Sequence, residues 1–457
     1  MEENNGLNEL IYEYYESRIL FGIYRYGEQL KSVPQICASF GLARNTVQTA
    51  LRKLEKNGYI KTEKRKVARV VYQGTEDLFR ENAAKYFAPR KEGFLDFRHA
   101  GNLMFLPIWE KGLRNIKMNR QNAVCGKGDA VPSEPSKLYM DVLNSFDNDL
   151  MRGLYWQCLR YLSYFYPKRN DRKANYVTED LLSEEKANRL KQETDVYYER
   201  VLWEVLDFAE SMYGKQGLEK VDQIPFTWII YRRRPQVRYT LASAIIRQIL
   251  WERYPPGSYL PSLPKMAEQY QVSLSTVRRT LEVLQALGVT QTHMGVGTEV
   301  CLKPIDPDII NKSEIQENLR LHGEAMQLLA LTVRNVTLYT LESAAKDKRE
   351  NLLQEISKLH GKNNNILCID VLLKFISRQC PSAFIRECYG KLSELAAWGY
   401  IFFAVLRGTG RQPDMDLTDF ISQLERDLQT DHLTAFAEKW QSFIEDRTNF
   451  FYSNFSL

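Results

Sequence analysis

The side chains with the clearest capacity for specific recognition are a short run of hydrogen-bonding groups at Arg44, Asn45 and Gln48. Arginine can form paired hydrogen bonds to guanine, and asparagine or glutamine can do the same to adenine. Apolar residues recur beside them with helical spacing, beginning at Val47 and Leu51. The pattern indicates a helix that carries base-reading groups near its amino terminus.

Histidine and cysteine give no comparable signal for metal or catalytic chemistry. The five histidines form no HxxxH or HExxH pair, and the seven cysteines form no CxxC pair. The sequence also has no nucleophile elbow, P-loop or dinucleotide fingerprint. We therefore expect no enzyme, no cofactor and no metal site.

Length and composition are those of a globular protein with several domains. The chain has 457 residues, of which 44% are apolar and 26% charged, and at roughly 150 residues per domain this suggests about three domains. It has no uninterrupted apolar run of the length, about 18 residues, that a membrane span needs. Its first residues are acidic and polar, unlike a signal peptide. These features predict a cytoplasmic protein with no membrane partner.

Charge is distributed in alternating blocks. Residues 1–74 hold 12 Lys and Arg against 8 Asp and Glu, and residues 231–300 hold 9 against 4. Residues 75–230 hold 23 against 24, and residues 301–457 hold 18 against 21. Two basic blocks separated by neutral or acidic ones suggest two places that meet a polyanion.

The two basic blocks are copies of one another at an offset of 230 residues. Identical pairs include Gly27/Gly257, Pro34/Pro264, Thr46/Thr276, Leu51/Leu281 and Gly58/Gly288. The blocks that follow share a weaker similarity, with Asp141-Val142-Leu143 matching Asp370-Val371-Leu372 at an offset of 229. The whole unit, basic module plus acidic module, is predicted to be a tandem duplication.

Each copy predicts three helices followed by a hairpin. In the first, a helix over residues 7–22 precedes Ser32, which can cap a short second helix with Gln35 at capping-box spacing. A third helix ends at Gly58, and two strands follow at 59–62 and 67–72. Helix, helix, turn, helix and a two-stranded wing make a winged helix-turn-helix.

These residues resemble the GntR family of bacterial transcriptional regulators. The second copy carries the family pattern at Pro256-Gly257, Leu260-Pro261-Ser262, Val272-Ser273, Thr276-Val277, Leu281, Leu284, Gly288, Gly295, Gly297-Thr298 and Val300. The match covers residues 8–72 and 238–302 and is looser in the first copy. There Ala43 replaces the capping serine, and the basic wing 63–67 has lost both glycines.

The predicted fold class is mainly α with small β wings. Two winged helix-turn-helix domains, at 1–74 and 231–302, are each followed by an all-helical domain, at 75–230 and 303–457. The resemblance implies that the helical domains are of the FadR type and serve effector sensing or dimerisation. The one Asp and three His that bind metal in many such domains are not carried over, because His99, His322, His360 and His432 cannot supply three to either block.

The DNA-binding residues are those that the resemblance and the helix pattern place on the two recognition helices, their entry turns and their wings. In the first copy they are Ser32, Arg44, Asn45, Thr46, Gln48, Thr49, Lys53, Lys64, Arg65, Lys66 and Arg69. In the second they are Ser262, Ser273, Ser275, Thr276, Arg278, Arg279, Gly295 and Gly297. Double-stranded DNA is therefore the expected partner.

Three functions stay open at this point. The first is a regulator that binds a two-part DNA operator, the second a tandem winged-helix replication initiator. The third is an interaction module whose second copy does not read DNA, since residues 273–300 hold only two charges of each sign. The sequence also leaves open a small-molecule effector and a homodimer. Aromatic clusters around Tyr155 and Trp398 are more simply explained as core than as an effector pocket.

Overall fold

The computed structural model describes residues 5–40, 42–63, 66–122, 139, 142–162, 192, 196, 199–200, 203–204, 207–208, 211, 221–230, 236–301, 312–360, 367–408 and 417–455. The chain divides into two compact units, Met1–Arg233 and Arg234–Leu457. This division falls near the predicted start of the second copy.

The first unit begins with a winged helix. Its elements are α1 (Asn5–Leu20), α2 (Val33–Phe40), α3 (Arg44–Lys56), β1 (Ile60–Lys61) and β2 (Arg69–Val70). The strands are antiparallel, with Ile60 opposite Val70. The helix predicted over residues 7–22 corresponds to α1, and its residues Ile11 and Ile19 are fully buried in a core that they share with Val47.

The short helix α2 is capped differently from the expectation. Gln35 Oε1 accepts the backbone N–H of Ser32 at 2.9 Å, which is one half of a capping box. The hydroxyl of Ser32 donates to the same oxygen of Gln35, also at 2.9 Å. At the end of α3, Gly58 has a φ of +78°, as its predicted C-cap role requires.

In the described part of the first unit, helices follow the winged helix. They include α4 (Glu76–Phe87), a 3-10 turn (Ala88–Arg90), α5 (Lys91–Asn122) and α6 (Asp149–Tyr161). Helix α4 is capped by Thr75, and α6 by Asn148, whose side chain accepts from Met151 N at 2.8 Å.

Residues 221–230, here called the extended segment, run along these helices without forming a helix or a strand. Gln157 on α6 holds its far end by two reciprocal bonds to the backbone of Ile229, at 2.8 and 3.0 Å. Tyr161 donates its hydroxyl to Ile224 O at 2.6 Å, and Ile224 N donates to Pro89 O at 2.6 Å. Side chains thus supply the partners that this backbone lacks internally.

The second unit repeats the winged helix. Its elements are α7 (Gln236–Leu250), α8 (Leu263–Tyr270), α9 (Leu274–Ala286), β3 (Thr290–His293) and β4 (Gly297–Val300). Helices α8 and α9 have the bounds of α2 and α3 moved by 230 residues. The wings agree in register as well, since Gly27 N donates to Val70 O at 2.9 Å and Gly257 N to Val300 O at 2.7 Å.

The two wings differ in length for a local reason. The strands β3 and β4 have four residues each, whereas β1 and β2 have two. Gly295 and Gly297 adopt positive φ values of +76° and +146° in the tight turn of the second wing. The first wing has no glycine there, and its paired strands are shorter than the predicted 59–62 and 67–72.

Among the described residues, seven α-helices follow in the second unit. They are α10 (Ser313–Ser343), α11 (Lys346–Ser357), α12 (Cys368–Gln379), α13 (Ala383–Ala396), α14 (Trp398–Gly408), α15 (Thr418–Gln429) and α16 (Leu433–Asn454). Trp398 and Trp440 are fully buried, which agrees with a core role for the aromatic clusters.

The fold class, mainly α with two small β wings, is confirmed. Within the described ranges, no helix is both long and apolar enough to span a membrane. Nor do the described residues bring three His, Cys, Asp or Glu side chains together in a way that could hold a metal ion.

The winged helix of each unit is joined to its own helical block by polar contacts of opposite arrangement. In the first unit Glu13 on α1 pairs with Arg160 on α6 at 2.7 Å. In the second unit the carboxylate lies on the helical block, where Glu394 on α13 accepts the hydroxyl of Thr240 on α7. Ser243 on α7 also donates to Glu394 O at 2.6 Å. Equivalent elements meet, but the carboxylate lies on the winged helix in the first unit and on the helical block in the second.

Candidate nucleic-acid interface

Helix α3 presents a row of polar groups to solvent. Arg44, Asn45 and Thr49 are exposed and Gln48 is half-buried, whereas Thr46 is only 3% exposed. The side chain of Thr46 is therefore buried beside the core residue Val47, and its DNA contact stays a prediction. On a recognition helix such side chains contact the major groove, and that role for these residues stays a prediction.

Arg52 is a member of this row that the sequence prediction missed. It is exposed and lies on the same helix face, four residues after Gln48 and eight residues after Arg44. The spacing of these three residues is the signal that would have identified it.

Lys53 is already engaged within the first unit. Its ammonium lies 2.6 Å from both carboxylate oxygens of Glu9 on α1 and 4.2 Å from the ring centroid of Tyr12. A phosphate contact by Lys53, as predicted, would have to compete with Glu9.

The first wing is fixed to the recognition helix. Thr62 donates its backbone N–H to Glu55 at 2.7 Å, and the hydrogen bond from its hydroxyl holds the pKa of that carboxyl below its usual value. Beyond it, Arg69 is exposed on β2, and Lys66 pairs with Glu63 at 2.6 Å. Lys64 and Arg65 lie outside the described residues. Ser32 is half-buried and already bonded to Gln35.

The second recognition helix has a better cap and fewer base-reading groups. Ser273 accepts the backbone N–H of Thr276 at 3.1 Å and shares a hydrogen bond with Ser275 at 2.8 Å. Arg278 and Arg279 are both exposed. The first helical residue, Leu274, is 44% exposed where the first copy has Arg44.

The tip of the second wing is apolar. Met294 and Val296 are 101% and 70% exposed, and they flank Gly295. Behind them, His293 contacts Glu299 across the hairpin at 2.9 Å. Ser262, at the start of α8, is exposed and makes no side-chain cap. The second copy thus has the geometry of a winged helix but carries few charged groups that could contact phosphates.

The comparisons with known proteins agree with this geometry. A family model for bacterial regulatory proteins of the gntR family matches residues 239–300, and a helix-turn-helix domain model matches residues 25–66. The probable transcriptional regulator PhnF of Escherichia coli (strain K12) is 26% identical over 134 residues, 29% of this chain. The match spans 55% of PhnF, little more than half of its length.

A second relative is the uncharacterized HTH-type transcriptional regulator YhcF of Bacillus subtilis (strain 168). It is 30% identical over 92 residues, which are 20% of this chain and 76% of YhcF. Among solved structures, Streptococcus agalactiae GntR has 18% identity and a TM-score of 0.22, covering 47% of this chain and 99% of its own. E. coli McbR/YncC has 14% identity and a TM-score of 0.27, covering 49% and 100%.

The family match falls on the second winged helix, where the motif residues Ser273, Gly288 and Gly295 occupy the cap, the helix end and the wing turn. The first winged helix has the same elements in the same register. The chain therefore belongs to the GntR family of bacterial regulatory proteins.

Proposed function

We propose that the chain is a sequence-specific DNA-binding transcriptional regulator that reads a two-part operator with its two winged helices. The observation that carries this proposal is the row formed by exposed Arg44, half-buried Gln48 and exposed Arg52, on a helix that is bonded to its own wing. Arginine and glutamine side chains on such a helix reach base edges, and the basic wing contacts phosphates. The relatives named as transcriptional regulators support the same function.

In both copies the winged helix and the helical domain would have different roles. Residues 1–74 and 231–302 would bind DNA, and the helical residues 75–230 and 303–457 would serve dimerisation or effector sensing. The two recognition helices differ in sequence, so we expect an imperfect palindrome in which the first copy contributes more of the specificity. Because both readers lie on one chain, a weak second reader still adds affinity through its high effective concentration.

The experiment begins with an operator selected from genomic fragments by the intact protein. Arg44→Ala and Gln48→Ala should each weaken binding to that operator by about 1–3 kcal/mol and change binding to random DNA little. Arg80→Ala, an exposed change on α4 outside the reading face, serves as the control. Equal losses on both DNAs would contradict base reading by α3.

A second candidate concerns the second copy alone. Met294 and Val296 at its wing tip favour a role in protein contact, because exposed apolar side chains are typical of protein interfaces. The double change Arg278→Ala/Arg279→Ala distinguishes the two roles. A loss of affinity on the operator supports a second DNA reader, whereas unchanged affinity supports the interaction module.

A further inference from the structure

The first unit contains a cavity where its winged helix meets its helical block, here called the junction cavity. Its volume is about 440 Å³, and it lies between α1, α4, α6 and residues 224–227 of the extended segment. This volume lies in the range that protein pockets use for small ligands. The wall contributed by α1 carries three carboxylates, from Glu9, Glu13 and Glu16.

Most of the charges that line the cavity are paired within the protein. Glu9 pairs with Lys53, and Glu13 pairs with Arg160. Lys85, on the opposite wall, pairs with Glu81 at 2.6 Å. These groups have little free energy to gain from an added ion, because each one already has a partner of opposite sign.

One carboxylate and one guanidinium of the lining are left without an ionic partner. Glu16 accepts the hydroxyl of Tyr12 at 2.5 Å, and no cation pairs with it among the residues that the structure describes. Arg90 donates to Tyr86 O at 2.8 Å and stacks over the Tyr86 ring at 4.0 Å. Within the described ranges it has no carboxylate partner. The cavity thus holds one uncompensated charge of each sign.

Aromatic side chains form part of the remaining lining. Tyr161 and Phe226 meet edge to face with their centroids 5.7 Å apart, and Phe21 packs against Tyr86 at 5.7 Å. Aromatic faces offer a large contact area for an apolar or aromatic group of a ligand.

In the second unit, the helix face equivalent to the cavity wall of α1 is fully buried. At the positions of Glu9, Glu13 and Glu16, helix α7 has Tyr239, Ser243 and Ile246. These three are 1%, 0% and 3% exposed, so the positions are sealed inside the protein. A carboxylate-lined wall is therefore not needed to join a winged helix to its helical block.

We propose that the junction cavity binds a small zwitterion, an amino acid or dipeptide with an aromatic side chain. Its ammonium group would bind Glu16, its carboxylate would bind Arg90, and its side chain would lie along Tyr161 and Phe226. Charge-assisted hydrogen bonds at both ends suit a ligand that carries both charges. Bound there, the ligand contacts both α1 of the DNA reader and the helical block.

The test is a binding measurement on the full chain without DNA, so its failure is distinguishable from failure of the proposed DNA-binding function. The probes are phenylalanine, tyrosine, tryptophan and phenylalanylglycine, each tested by thermal shift and calorimetry. Phenethylamine and 3-phenylpropionate, which carry one charge each, are the matched half-ligands. We expect at least one zwitterion to raise the Tm and to bind at least about tenfold more tightly than either half-ligand.

Two charge-removing variants locate the site. Glu16→Gln and Arg90→Gln should each weaken zwitterion binding by about tenfold or more, because each removes one charge-assisted contact. Glu92→Gln and Arg80→Gln change exposed residues outside the lining and should leave binding unchanged. If no zwitterion binds the parent chain, or if the cavity variants bind as tightly as their controls, the proposal is wrong.

Discussion

The two recognition helices offer a matched test of helix capping, because they start with nearly the same backbone. Ala43 precedes α3 with φ −65° and ψ 149°, and Ser273 precedes α9 with φ −69° and ψ 152°. Ser273 caps the backbone N–H of Thr276, whereas Ala43 makes no side-chain cap. A serine at position 43 can therefore accept the N–H of Thr46 without a change of backbone conformation.

The expected change in free energy follows from the measured effects of replacing capping residues. Replacing a capping serine by alanine costs about 1 kcal/mol, within a range of about 0.5–2 kcal/mol. We expect Ala43→Ser to stabilise the start of α3 by about 1 kcal/mol and Ser273→Ala to destabilise α9 by a similar amount. A free energy of this size changes a local opening equilibrium by about fivefold.

Hydrogen exchange is the suitable assay, because it reports local stability in a protein of several units. Peptides that cover residues 43–56 and 273–286 should shift in opposite directions, with slower exchange in Ala43→Ser and faster exchange in Ser273→Ala. Ala43→Val, which adds bulk and no acceptor, is the control and should not slow exchange. If Ala43→Ser leaves its peptide unchanged while Ser273→Ala alters the other, the equivalence of the two caps is refuted.

Three further predictions concern packing, pH and salt. Gly399→Ala should lower the free energy of unfolding by about 1–3 kcal/mol in urea, because its Cβ would lie 2.5 Å from the His322 ring. Gly390→Ala, whose Cβ would meet nothing within 4 Å, should instead raise it by about 0.5–1 kcal/mol. Burial lowers the pKa of His322 from 6.5 to about 4, so the unfolded chain binds this proton first as the pH falls. The unfolding free energy should therefore drop by up to about 3 kcal/mol between those two pH values, and His322→Gln should lose this contribution. Changing Lys64–Lys66 to alanine should weaken binding to all DNAs and flatten the salt slope by up to about 0.9 per lost phosphate contact; an unchanged slope would exclude the wing from the interface.

The sequence was sufficient for the winged helices because their signals are local. The offset of 230 residues predicted α8, α9 and the second wing from the first copy, and Gly58 and Gly288 marked the helix ends. It was harder to predict which side chains of a single helical turn are buried. Thr46 lies between exposed Asn45 and buried Val47, and the sequence pattern was consistent with either face of the helix for it.

Contacts between distant segments were beyond prediction. The pair Lys53–Glu9 joins residues 44 positions apart, and the bonds from Gln157 to Ile229 span 72. Residues 221–230 have neither a helical nor an alternating pattern, so nothing local indicated that helices hold them in place. The junction cavity depends on these same contacts and was not predicted for that reason.

The different polar contacts at the two junctions have a consequence for how a duplicated chain assembles. The first unit leaves the ribosome before the second, and repeated segments are prone to pair with the wrong copy. A first winged helix that docked on the second helical block would place Glu13 at the position of Ser243, which donates to the backbone oxygen of Glu394. A carboxylate has no proton to donate to that oxygen, and Leu10 at the position of Thr240 would leave the carboxylate of Glu394 without that donor. Arg160 would at the same time lose its carboxylate partner. Unsatisfied polar groups disfavour such a pairing, so we expect each winged helix to pair preferentially with its own helical block.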